Sequence, residues 1–127
     1  MRHRIAGRSF GRDKDHRQAL FRNLITEFFR HERIETTQAK AKAVRAQAEK
    51  LITLAKRVDG KEALLVANAR HLAQRTLTDK DVAKKLFETL GPRYKERAGG
   101  YTRVYKVGPS QGDGASVVIL ELVEREA

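Results

Sequence analysis

The sequence predicts an α+β domain: about four helices packed on a small mixed sheet of about three strands, ending in a C-terminal hairpin and preceded by a basic, extended N-terminal arm. Three observations predict it. Apolar residues recur at helical spacing between about residues 20 and 90, and the period drops to two from Tyr101 onward. Before both, the first seventeen residues carry Arg2, Arg4, Arg8, Arg12 and Arg17 with hardly a core-forming side chain. At 127 residues the chain fits one domain with a single modest core, read as an extension over residues 1–12 and a globular unit over 13–127.

Leu20, Leu24, Ile25 and Phe28, widened by Phe21 and Phe29, predict a first helix running to about His31. Asp13 or Asp15 caps it, because a carboxylate there accepts the unpaired amides of the first turn. The β-branched run Arg-Ile-Glu-Thr that follows reads as one small strand. Thr36 or Thr37 then caps a longer helix whose apolar stripe is Val44, Ala48, Leu51, Ile52, Ala55 and Val58, ended by Asp59-Gly60. A third, weaker helix rests on Leu64, Leu65, Asn68 and Leu72. Thr78 and Asp79 open a fourth, with Val82, Ala83, Leu86, Phe87 and Leu90 on its inner face and Gly91-Pro92 as its stop.

In the last quarter Tyr101, Arg103, Tyr105 and Val107 share one face of a strand, and Thr102, Val104 and Lys106 share the other. The run Ser-Val-Val-Ile-Leu-Glu-Leu-Val is apolar at nearly every position, as in a strand covered on both sides. Between them, Gly-Pro-Ser-Gln-Gly-Asp-Gly-Ala is rich in turn formers, which makes the pair a hairpin.

The charge is lopsided. The 27 lysines and arginines against 16 acids give +11, a field that favours polyanions: nucleic acid, acidic membrane or acidic protein. Residues 1–50 hold 13 basic and 6 acidic groups (+7), residues 51–100 hold 11 and 6 (+5), and the last 27 hold 3 and 4 (−1). Charge kept for solubility has no reason to avoid one end, whereas a binding surface is localised in this way.

Enzyme chemistry finds little to work with. There is no cysteine for a disulfide or a thiolate metal site. His3, His16, His31 and His71 lack metal-ligand spacing, and His16 and His31 read as polar helix-end residues or RNA contacts. Ser9 and Ser116 have no Gly-x-Ser-x-Gly setting, and the pairs Asp13/Asp15 and Asp79/Asp81 suit helix starts. No phosphate-cradling glycine loop appears. No catalysis, cofactor, metal or small-molecule substrate is therefore expected. Apolar runs are too short for a membrane span and no apolar stretch follows the basic start, so neither a membrane partner nor a secretory signal is expected. Asp13 and Asp15 argue against a transit peptide, which makes the expected setting intracellular.

The basic groups suit RNA. Arg2, Arg4, Arg8, Arg12 and Arg17 present planar forks that match phosphate oxygens and stack on bases, and Gly7 and Gly11 allow close approach. Phe10 either stacks or anchors the arm. Thr36 and Thr37, with the free amides of a helix N-terminus, form a second site to which Lys40 and Lys42 add charge, and Arg45 on the same helix is a further RNA-binding candidate. A third cluster sets Arg93, Lys95, Arg97 and Arg103 among Tyr94 and Tyr101 around Gly99-Gly100, which suits backbone neutralisation with base stacking. The alternative is that both tyrosines are core rings whose hydroxyls reach the surface.

At these residues the chain resembles a known family. "MRHR", "GR", "GR" and "HR.AL.RNL", then "HERI.TT..KAK..R", then "GGYTR" and "GDGA…ELV" are similar, in order and spacing, to a bacterial large-subunit ribosomal protein family, L-seventeen. The resemblance covers nearly the whole chain. It implies an α+β domain with a basic extension, bound to large-subunit ribosomal RNA near the polypeptide exit side, beside other ribosomal proteins in the cytoplasm. The family motifs fall on Arg2, His3, Arg4, Gly7, Arg8, His16, Arg17, Arg22, Asn23, Thr36, Thr37, Lys40, Lys42, Gly99, Gly100, Tyr101, Thr102 and Arg103. One stretch departs from the pattern. Where relatives carry extra arginines before Gly-Asp in the hairpin loop, this chain has Pro-Ser-Gln before Gly112-Asp113, so no RNA contact is assigned there. A DNA-binding protein would share the charge but show an exposed recognition helix with a repeated basic face. An enzyme acting on RNA would need convergent acid, base or metal groups.

Overall fold

The computed structural model describes residues 14–109, 112 and 114–124. Helix α1 (Lys14–His31) has Asp15 in its first turn and buries Ile25, Thr26, Phe28 and Phe29, while Phe21 and Leu24 pack at its edge. Asp13, the other expected cap, lies outside the described residues. Glu32 turns the chain into β1 (Arg33–Thr37) with a left-handed φ of 61°. That conformation costs a non-glycine residue about 1 kcal/mol.

Helix α2 (Gln38–Val58) is the spine of the core. Thr37 caps it, its hydroxyl accepting from the Lys40 amide at 3.3 Å. Ala41, Val44, Ala48, Leu51, Ile52 and Ala55 make one buried stripe along it, and α1, the helical stretches 63–73 and 86–93 and all three strands pack against this helix. Asp59 ends the helix and Gly60 leaves it at a φ of 76°.

Helix α3 (Ala63–Ala73) forms where expected but is turned the other way. Its buried residues are Ala69 and Ala73, while Leu64, Leu65 and Leu72 are 68, 49 and 49 % exposed. Small side chains let α3 lie close on α2, and that close packing puts the leucines outside.

Helix α4 (Lys80–Lys85), capped by Asp79 through the Asp81 amide, does not stop at Gly91-Pro92. It widens into a π-helical turn, Leu86–Leu90, and closes with one more helical turn, Gly91–Arg93. Gly91 donates to the Leu86 carbonyl five residues back, and Pro92, lacking an N–H, fits a wide turn that asks it for no bond. Gly91 is needed for closeness rather than for a stop. A Cβ there would sit 3.3 Å from the Ala55 backbone of α2.

The sheet has the order β1-β3-β2, with β2 at Thr102–Pro109 and β3 at Ser116–Leu122. A mixed sheet was expected. Both ladders are antiparallel, because central β3 runs opposite to both its neighbours: β2 through the hairpin and β1 through the long return. Val118, Leu120 and Leu122 are fully buried under the helices, facing inward with Ile34, Thr36 and Thr102. The double cover expected for β3 holds on one face only. On the other face Val117 and Ile119 are half-buried, among exposed Arg33, Glu35, Arg103 and Tyr105. A bulge between Lys106 and Gly108 shifts the register of β2, and pairing resumes with Gly108 opposite Val117.

Candidate nucleic-acid interface

Arg2, His3, Arg4, Arg8 and Arg12 lie outside the described residues, as do Gly7, Phe10 and Gly11. The remaining candidates fall into four places. On α1, His16, Arg22 and Asn23 are exposed and Arg17 is half-buried. His16 and Asn23 are seven residues apart and share a face, while the Arg22 Nε donates back to the Gln18 carbonyl at 3.4 Å.

At the head of α2, Thr36 and Thr37 are half-buried, Lys40 is half-buried and Lys42 is exposed. The 21-residue helix directs its positive dipole end here, and its first turn holds no acid. Arg45, two turns in, faces the sheet instead. Its Nε donates to the Thr102 hydroxyl at 2.8 Å and Nη2 to the Thr102 carbonyl at 3.1 Å, which locks β2 onto α2.

The Gly99-Gly100 loop borders an open groove on α2 lined by Glu49, Lys50, Thr53 and Arg57. Gly100 has a φ of 63°, and the Arg97 Nε ties the loop by donating to the Gly99 and Gly100 carbonyls at 3.2 Å each. The Tyr101 amide donates to Glu49 at 2.9 Å. Both candidate tyrosines are core rings. Tyr94 is 0 % and Tyr101 2 % exposed, with ring centroids 5.3 Å apart. The Tyr94 hydroxyl donates to the Val123 carbonyl, and burial pushes its phenol up. Tyr101 meets the Thr53 hydroxyl at 3.3 Å, and Lys56 lies over its ring. Here Lys50 and Arg57 are exposed cations beside the glycine turn, and Tyr101 lines the groove between them.

The last two arginines differ from each other. Arg93 is turned inward onto Glu32, while Lys85 holds the same carboxylate at 2.9 Å. Arg103 stands on the open face of the sheet. Its Nε donates to Glu121 at 2.6 Å, which raises the guanidinium's pKa further, and its guanidinium lies over Tyr105. The candidates therefore sit in four places: on α1, at the head of α2, along the groove and on the sheet. Spacing alone missed Glu32 as the partner of Arg93. It also missed Tyr105, although that residue shares a face with Arg103 in the alternating run.

Among the described residues no group of three His, Cys, Asp or Glu is arranged to hold a metal ion, and no helix is long and apolar enough to cross a membrane.

Residues 20–123 match the family described as Ribosomal protein L17. Over 126 residues the chain is 52 % identical to the Large ribosomal subunit protein bL17 of Pelobacter propionicus, covering 99 % of this chain and 94 % of that one. The protein of the same name from Trichlorobacter lovleyi is 50 % identical over 127 residues, covering 100 % and 97 %. That from Caldanaerobacter subterraneus subsp. tengcongensis is 53 % identical over 116 residues, covering 91 % and 97 %.

Proposed function

The chain belongs to the ribosomal protein L17 family, and we propose that it works as a structural constituent of the large ribosomal subunit that binds and stabilises large-subunit ribosomal RNA. It is not an enzyme; its family is structural. The observation that carries the reading is similarity at about half identity along essentially the whole chain to proteins named for that subunit.

The physical roles divide. Arg2, Arg4, Arg8 and Arg12 release condensed counterions at phosphates, with His3 beside them as a hydrogen-bonding group; Arg17 and Arg22 extend that contact along α1, where His16 and Asn23 add hydrogen bonds. Lys40 and Lys42 add charge at the α2 dipole end, where backbone amides suit a phosphate oxygen. Gly99 and Gly100 let the RNA backbone approach closely beside Arg97, and Arg103 offers its outer nitrogens from the sheet. Arg45, Arg93, Tyr101 and Thr102 act behind this surface, holding the platform in shape. Neighbouring ribosomal proteins are the other partners, and the bacterial cytoplasm is the setting.

Sedimentation of a cell lysate at low and high salt tests the reading. The protein should co-migrate with large subunits, and a free or DNA-associated pool would contradict it. Crosslinks to large-subunit ribosomal RNA should map to the four patches.

A further inference from the structure

We infer that the open face of the sheet carries a base-stacking platform, made by Tyr105 and held by Arg103, that receives an unpaired base of the ribosomal RNA. This rests on the RNA-binding reading above and adds to it a residue and a mode of contact.

The three tyrosines of the chain divide sharply. Tyr94 and Tyr101 are buried with their hydroxyls bonded inside, whereas Tyr105 is 46 % exposed near the middle of an edge strand. Its ring is not loose. It stands opposite Ile119 on the same face, and the Arg103 guanidinium lies 5.4 Å from its centroid. Arg103 is anchored in turn by Glu121, which is only 5 % exposed. The stack therefore has a fixed base, and fixing an aromatic ring before binding lowers the entropy lost when a base lands on it.

What favours a nucleic acid here is a ring paired with a cation on a face that carries no surplus of negative charge: Glu121 stands between Arg33 and Arg103 across the three strands, and Glu35 lies two strands from Tyr105 across Ile119. A half-exposed ring with a cation beside it supplies a stacking surface together with phosphate attraction. Sheet-borne aromatics hold single-stranded RNA in the same physical way.

The chain has no tryptophan, so Tyr105→Trp places a single indole on the platform. Titrated with transcribed large-subunit ribosomal RNA at low salt, its fluorescence should be quenched as complex forms. Tyr105→Ala should weaken binding about tenfold, within the range of one base–aromatic stack. Tyr105→Phe, which keeps the ring, should bind as the unmodified protein does, and all three variants should melt as it does. Unquenched indole in a formed complex, or unchanged affinity of Tyr105→Ala, overturns the platform and leaves the RNA-binding reading standing. So does a Tyr105→Ala defect confined to recruiting a neighbouring ribosomal protein. Failure of the unmodified protein to bind this RNA overturns the underlying reading itself.

Discussion

Arg93 closes a two-pronged pair on Glu32, 61 residues earlier in the chain, with Nη1 on one carboxylate oxygen and Nη2 3.2 Å from the other. Lys85 approaches the second oxygen to 2.9 Å and also donates to the Arg30 carbonyl. The Glu32 carbonyl meanwhile accepts from the Leu122 amide at 2.9 Å. One residue thus ties the end of α1 to the helical segment around Gly91 and to the central strand. Burial pushes the Glu32 carboxyl up, but hydrogen bonds from Arg93 and Lys85, with their charge, outweigh it and hold it below its ordinary value.

Glu32→Gln keeps the shape and removes the charge, leaving two cations around a neutral amide. Breaking one side of a buried pair is costly because the remaining charge stays desolvated, and a loss of about 3 kcal/mol is expected. Urea unfolding of the isolated protein measures it. An unchanged midpoint would show that the trio adds nothing to stability.

The same pair sets a pH dependence. A carboxyl whose folded pKa is depressed contributes stability that is present above its unfolded value and is lost as pH falls through the folded one. The ordinary value is 4.5, so the contribution should be complete near neutrality and shrink on acidification below about that point. Denaturant midpoints recorded from pH 7 down to pH 3 should fall more steeply for the unmodified protein than for Glu32→Gln. Parallel curves would assign the acid sensitivity to other carboxylates.

Much of this architecture is legible locally, and its failures share a cause. Thr37 caps α2 and Asp79 caps α4 because capping needs only residues within three positions. Central β3 shows in its apolar run. Which face of α3 turns inward is not a local property. Leucines at helical spacing look like a core stripe, yet the gap beside α2 admits Ala69 and Ala73. Arg93 reads as a free cation because its partner lies 61 positions away. Gly91-Pro92 reads as a stop because punctuation says nothing of the neighbouring backbone at Ala55.

That closeness makes Gly91 testable. Its φ of −55° suits any residue, so the penalty of a side chain there is steric rather than conformational. Gly91→Val places branched carbons against the Ala55 carbonyl, deep between two helices, and should cost about 2 kcal/mol as overpacking does. Thermal unfolding reports it. A midpoint equal to that of the unmodified protein would mean the two segments part at no cost.

Charges that bind RNA and charges that hold the fold should respond differently to salt. If Arg2, Arg4, Arg8 and Arg12 neutralise phosphates, each contact releases counterions and steepens the fall of log K with log salt by about 0.7 on the single-strand scale. Replacing all four with glutamine should therefore flatten the slope by up to about 3. Arg93→Gln is the contrast. It removes one positive charge, from a guanidinium already committed to Glu32, so it should lower the melting temperature and leave the slope alone. Arg103→Gln should fall between them, losing Glu121's partner and a contact on the sheet, and weakening the matching RNA fragment more than unrelated RNA of equal length. Binding isotherms across a salt series, with melting curves for each variant, measure both effects. A fourfold variant that keeps the unmodified slope would remove the arm from the binding surface, whatever its charge.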